Sequence, residues 1–191
     1  YKKLLTWKLA ELLYDVTVHF CNRYISLRSR THDQMVQAAR SGSRNIAEGS
    51  QMSGTSKKME MKLTGVARGS LEELRRDYAS YLRQRGLQEW PPQHPVLLRF
   101  KSRRYHCLDD VRRFVEEERG RPQDMDTDGR TRSSEARSND PSNPRDSMAA
   151  HECPRSNPRN TEAAPMPTSG IVANVALSLL NVCCYLLERQ L

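Results

Sequence analysis

Between Arg121 and Gly170 the chain runs for 50 residues without one Leu, Ile, Val, Phe, Tyr or Trp, and this stretch holds seven of the ten prolines. A segment of that composition cannot bury enough apolar surface to offset the entropy of ordering it, so residues 121–170 read as a disordered linker, an inert tether. Structure is left to residues 1–120 and 171–191. The linker carries seven Arg against eight Asp and Glu, and residues 171–191 carry one Arg and one Glu, so the first 120 residues carry +9 and the whole chain a net charge of +8. The folded part is the basic part.

With nine glycines, three phenylalanines and no Val/Ile/Thr-rich runs, the chain lacks the repeated strands and turns of a sandwich, a barrel or a doubly wound sheet. An all-α fold is expected. The five cysteines, at 21, 107, 153, 183 and 184, form no close metal-ligand pair and indicate neither a disulfide framework nor a zinc site. His19 near Cys21 and His106 beside Cys107 lack chelating spacing, and Cys183-Cys184 reads as two small core residues. A reducing compartment and the lack of a basic-then-apolar leader lead to a cytoplasmic reading.

Apolar residues recur at three- and four-residue steps up to the linker. Leu5, Leu9, Leu12 or Leu13, Val16, Phe20 and Tyr24 predict an amphipathic helix over about 6–24. Thr31 with Gln34 forms a capping box, opening a second helix that runs to about Gly49 or Ser50. Its stripe of Val36, Ala39, Ser43, Ile46 and Ser50 is made of small side chains, suited to close approach. The third helix, about 57–85 with Gly86 as its stop, carries Met59, Leu63, Val66, Leu74, Tyr78 and Tyr81, with Ser70 in register. Gly65 and Gly69 inside it each cost about 1 kcal/mol relative to Ala. Close packing against the small-residue second helix is the expected compensation. After the break at Trp90-Pro91-Pro92, two short helices are predicted over about 96–101 and 105–118.

Thr168 and Ser169 read as caps for a last helix, about 170–191. Gly170 to Leu187 holds no charge over 18 residues, the lower edge of a membrane-spanning length. Asn174, Ser178, Asn181 and Tyr185 share one stripe, however, and Ile171, Val175, Leu179, Val182 and Leu186 another. Such one-sided polarity suits a helix buried in protein, and a membrane-tethered bundle is the less favoured reading.

Three runs carry a resemblance: Arg30-Thr31-x-Asp33-Gln34-Met35-Val36-Gln37-Ala38-Ala39-Arg40-Ser41-Gly42; Asn45-Ile46-Ala47-Glu48-Gly49; and Val66-Ala67-Arg68-x-Ser70-Leu71-Glu72-Glu73-Leu74 with Asp77-Tyr78. Together they resemble the bacterial four-helix-bundle proteins related to the ribosomal RNA intervening-sequence protein and to the accessory variability protein of diversity-generating retroelements. Ala173-Asn174 and the ending Leu186-Leu187-Glu188-Arg189-Gln190-Leu191 are similar to the branch with a C-terminal suffix segment. The resemblance implies an antiparallel up-down four-helix bundle, here with two short extra helices and the long linker before the last helix. It also implies a homo-oligomeric ring, commonly a pentamer, without catalytic residues, and, in the retroelement branch, a basic partner of a reverse transcriptase and nucleic acid. Asn45, Glu48, Gly49, Gly65, Gly69 and Ser70 are read as structural positions of this pattern.

The residues themselves offer no enzyme signature. No Glu has a His three residues on, as a di-iron bundle site requires, and no phosphate-binding Gly-x-x-x-x-Gly-Lys loop or His-Glu-x-x-His occurs. No catalytic, cofactor or metal residue is assigned, and no small-molecule substrate is evident. Glu48 stands four residues after Arg44, which predicts an ion pair within the helix or with a neighbour. The candidate binding surface is a set of arginines off the apolar stripes: Arg40 and Arg44 on the second helix, and Arg68, Arg75, Arg76, Arg83 and Arg85 on and just after the third. Glu72, Glu73 and Asp77 offset part of that charge, and Arg99, Lys101, Arg103 and Arg104 add to it. Such a surface would bind nucleic acid, or a nucleic-acid enzyme, through phosphates. A purely structural homo-oligomer is the alternative.

Overall fold

The computed structural model describes residues 4–121 and 166–190, which form one compact unit. Most of the expected linker lies outside the described residues. The described residues are all-helical: α1 (Leu5–Tyr24), α2 (Arg30–Met52), α3 (Lys57–Gln84), α4 (Pro95–Ser102), α5 (Leu108–Arg119) and α6 (Thr168–Glu188).

Local chemistry explains most boundaries. Ser56 caps α3, its hydroxyl accepting from Met59 N–H at 3.3 Å. At the other end Gly86 takes φ 63°, and the N–H groups of Gly86 and Leu87 donate to the carbonyls of Arg83 and Leu82 at 3.1 and 2.9 Å. That double bond needs a left-handed residue, which glycine supplies without strain. The cap of α2 is Ser29, which accepts from Thr31 N–H, so the expected capping box at Thr31 is corrected: Thr31 lies inside the first turn. Thr168 and Ser169 likewise are the first residues of α6, after Pro167, and not its caps. Pro167 has the extended φ and ψ of a residue before a helix.

The core is built around α6. Ile171, Val175, Leu180, Cys183 and Leu187 are buried along its length, against Leu13, Val16 and Phe20 of α1 and Leu71, Leu74 and Tyr78 of α3. Phe20 packs its ring against those of Tyr78 and Tyr81 at 5.0 and 4.8 Å, and Tyr78 OH donates to Thr17 Oγ1 at 3.1 Å. Both tyrosines are core residues, as their spacing predicts. Asn174 seats the start of α6: its Oδ1 accepts from Trp90 N–H at 2.7 Å, and its Nδ2 donates to the carbonyls of Gln88 and Gly170 at 3.0 Å. At the far end Cys183 Sγ meets the Thr6 carbonyl at 3.7 Å, and Arg68 pairs with Glu188 at 2.9 Å.

The stripe of α3 departs from its expected phase. Leu74, Tyr78 and Tyr81 are buried, but Met59 and Val66 are 43% and 46% exposed, and Thr64, Ala67 and Leu71 take the core positions. The cause lies on α2. A Cβ placed on Gly42 would fall 2.5 Å from Leu71 Cδ2, and one on Gly49 would fall 3.4 Å from the Glu60 carbonyl and from Leu63 Cβ. The Leu71 side chain occupies the space left by Gly42, and at Gly49 the α3 backbone itself comes close, while Met59 and Val66 are left outside. Gly65 and Gly69 are corrected with them: nothing lies within 4 Å of a Cβ at either, so they do not mediate the close packing. In α1, Leu5 is 60% exposed, and Thr6, Ala10 and Thr17 join the buried face.

Opposite effects of one substitution check this seam by chemical denaturation. Gly42→Ala is expected to destabilise the fold by about 1–3 kcal/mol through crowding of Leu71, whereas Gly69→Ala on the open face is expected to stabilise it by about 0.5–1 kcal/mol.

Candidate nucleic-acid interface

Helices α2 and α3 carry six of the seven candidate arginines and all six motif positions, but bring only some of them together. Asn45 Nδ2 donates to the Ser41 carbonyl at 2.8 Å and to Ser41 Oγ at 3.1 Å. Ser41 Oγ and Ser70 Oγ stand 2.9 Å apart, and Ser70 Oγ donates back to the Val66 carbonyl at 3.1 Å. This hydroxyl relay, with Gly49 one turn beyond Asn45, ties α2 to α3. Glu48 is exposed, and among the described residues it forms no ion pair with Arg44, contrary to the expected pairing. Gly65 and Gly69 open to solvent.

The arginines divide by what they touch. Arg75 pairs with Glu72 at 2.9 Å and Arg68 with Glu188. Arg85 lies 3.8 Å over the Tyr81 ring and donates to the Tyr24 carbonyl at 3.4 Å, so it holds the end of α3 against α1. Arg40, Arg44, Arg76 and Arg83 are exposed and, among the described residues, make no ion pair. Arg76 lines a groove of about 550 Å³ between α2 and α3, beside Gln37, Ser41, Ser70, Glu73 and Asp77. Burial and the neighbouring Glu73 hold the Asp77 carboxyl above its ordinary range. With two carboxyl groups, Glu73 and Asp77, against one cation, Arg76, the lining of this groove does not favour an anion. Arg40 and Arg44 do not line it.

Two cations escaped the sequence reading. Lys58 and Lys62 are exposed, and with Gly65, Gly69, Arg76 and Arg83 they recur at steps of four, three, four, seven and seven along α3, which places all six on one face. The signal was in the spacing, but treating Met59 and Val66 as core positions hid it. From Lys58 to Arg83 this face spans about 37 Å. It is a basic ridge with a bare glycine saddle in its middle.

Comparison of the chain with protein-family models, curated proteins and solved structures returned no match.

The run after the proline break serves structure. Arg99 holds both oxygens of the buried Glu118 carboxylate, at 2.9 and 2.5 Å, and Arg103 pairs with Glu117 at 2.7 Å, joining α4 to α5. Three of the four cysteines among the described residues are buried, and burial raises the thiols of Cys21 and Cys183 to about 12 and that of Cys184 to about 11. Such thiols are poor nucleophiles. Among the described residues no group of three His, Cys, Asp or Glu side chains is placed to hold a metal ion. Of the described helices, α6 alone is long and apolar enough to cross a membrane, with mean hydropathy 2.0, and 78% of that window is buried inside the fold.

The Arg99 contact holds the Glu118 carboxyl below its ordinary value, so this pair stabilises the fold above the usual glutamate range and loses that effect as pH falls through the lowered folded value. Asp15 and Asp77, held above the ordinary range, act in the opposite sense. Glu118→Gln is expected to lower stability by about 1–3 kcal/mol at neutral pH. The difference from the parent should shrink in denaturant titrations taken below about pH 4.5.

Proposed function

We propose that this chain is a non-enzymatic helical module that binds nucleic acid through phosphate contacts along the outer face of α3. The observation that carries this reading is the ridge of exposed cations Lys58, Lys62, Arg76 and Arg83, which make no ion pair among the described residues; Arg40 and Arg44 add exposed charge on the face of α2 turned away from Gly42 and Gly49. Counter-ions released from phosphates would drive association, and recognition would be indifferent to sequence. The glycine saddle lets a sugar-phosphate backbone come close to the helix without meeting a side chain.

The proposed architecture behind the ridge is an antiparallel up-down bundle of α1, α2, α3 and α6, with α4 and α5 as side helices. Its support is the order of contacts: Cys21 against Met35 and Ser43 donating to Glu11 along α1 and α2, Ser41 with Ser70 and Gly49 with Leu63 along α2 and α3, and Arg68 with Glu188 and Asn174 with Trp90 at opposite ends of α6. The same arrangement suits the resemblance to the ribosomal RNA intervening-sequence and retroelement accessory families, since Asn45, Gly49 and Ser70 meet in one seam. A ring of subunits, a pentamer by that resemblance, would repeat the ridge and multiply its attraction for a polyanion. A structural homo-oligomer without nucleic-acid affinity is the second reading, favoured by the exposed Met59, Met61 and Val66 beside the saddle.

Titrating an arbitrary RNA duplex against the chain separates the two. The nucleic-acid reading expects binding at about 50 mM salt that weakens roughly a hundredfold by about 200 mM. Each of Arg76→Gln and Arg83→Gln should reduce the logarithmic salt slope by about one. No binding at the lower salt sinks the reading and leaves the structural homo-oligomer.

A further inference from the structure

Helix α5 packs against α1 and α6, and the three enclose a cleft of about 80 Å³ on the side of the bundle away from the cation ridge. That volume exceeds one water's share of the liquid, about 30 Å³, and falls well short of the roughly 300 Å³ at which drug-sized sites begin. The base of the cleft is apolar, made by Val16, Leu108, Val111, Val115 and Val172. Its rim is charged. Arg23 comes from the last turn of α1, and Arg112, Glu116 and Arg119 come from α5, all four exposed. His19, one turn before Arg23, stands half-buried at the same opening, and Tyr24 rests its ring on Phe20 at 5.2 Å. Thr168, the first residue of α6, closes the third side, and α6 brings no charge.

Three guanidinium groups thus face one carboxylate, the reverse of the balance in the Arg76 groove. Arg23, Arg119 and Glu116 make no ion pair among the described residues. Arg112 reaches Asp109 at 3.5 Å, but both partners are exposed, so the contact offsets little of its charge. The imidazole between them registers the excess. Burial first, then the positive charges of Arg112 and Arg23, hold the His19 ring below its ordinary pKa. Cations from two helices meeting over an apolar base repel one another, and an anion among them would remove that repulsion. The flat, forked guanidinium matches phosphate oxygens, two bonds to a group.

We propose that this cleft binds a phosphate dianion, free or as the terminal group of a small monoester, with Arg23, Arg112 and Arg119 donating to its oxygens. Glu116 opposes the guest and limits its affinity. The three arginines less Glu116 leave two positive charges, which match a dianion. A phosphodiester fits less well, since it has one negative charge and two substituents to place at a cleft whose base is closed. None of these residues belongs to the α3 ridge, so the inference stands apart from the nucleic-acid reading.

The test titrates the full chain at about pH 8, where a monoester is fully ionised, with inorganic phosphate, methyl phosphate and dimethyl phosphate, and follows the His19 ring by NMR. Saturable shifts are expected with the two dianions, with Kd on the order of 1 mM for guests of this size. If both bind, the guest is an ester whose substituent leaves through the mouth; if inorganic phosphate alone binds, it is the free ion. Dimethyl phosphate should bind at least about tenfold more weakly. With a dianion bound, the His19 titration should move to higher pH, because the field of the arginines is neutralised. Arg23→Gln and Arg112→Gln should each weaken binding about tenfold, and Glu116→Gln should tighten it about threefold, a gain that misfolding cannot produce. Arg76→Gln should leave it unchanged. The proposal is overturned by shifts that do not saturate, by equal binding of dimethyl phosphate, by Glu116→Gln binding no tighter than the parent, or by Arg76→Gln weakening binding as much as Arg23→Gln, which would mean diffuse attraction to a basic surface.

Discussion

A helix whose first 20 residues carry no charge and whose inner side holds an asparagine can be stable in water only if other elements cover it and satisfy that amide. Everything else in the fold answers to this requirement. Asn174 takes one N–H and two carbonyls, from the α3–α4 connection and from α6 itself, and thereby sets where the helix enters. The aromatic group of Phe20, Tyr78 and Tyr81 and the leucines of α1 and α3 then surround it. The small-residue seam of α2 on α3 supports one of those walls from outside. Loss of α6 would leave the apolar faces of α1 and α3 in contact with water.

The basic ridge is a by-product of the same packing. Gly42 and Gly49 draw α2 tightly onto one side of α3, and α6 covers another, so the cations of α3 are confined to what remains. Arg68 and Arg75, nearer to α6, are held by Glu188 and Glu72, whereas Lys58, Lys62, Arg76 and Arg83 on the outer face have no such partners among the described residues. Charge that is paired serves the fold, and charge that is unpaired remains available for a polyanion.

Much of this was legible before any coordinates. Helix positions and the core tyrosines follow from three- and four-residue spacing, and the stop at Gly86 from local chemistry, whereas the Ser56 cap of α3 is seen only in the structure. Two kinds of error recur. Large apolar residues were preferred as core markers, so Met59 and Val66 displaced Ala67 and Thr64, although close helix approach favours small side chains. Glycines were judged by their cost within a helix, which is the same at Gly42 and Gly69. Only the neighbouring helix distinguishes a glycine that makes room from one that is bare. The misplaced phase on α3 then concealed Lys58 and Lys62. The Arg99 partner of Glu118 comes from another helix, and no local pattern could supply it.

Denaturant unfolding of the chain with and without residues 166–191 tests the central claim most directly. If α6 completes the core, the shortened chain should lose its single cooperative transition and bind a hydrophobic dye in the absence of denaturant. A shortened chain that unfolds at the same midpoint, as steeply as the full one, would contradict the account.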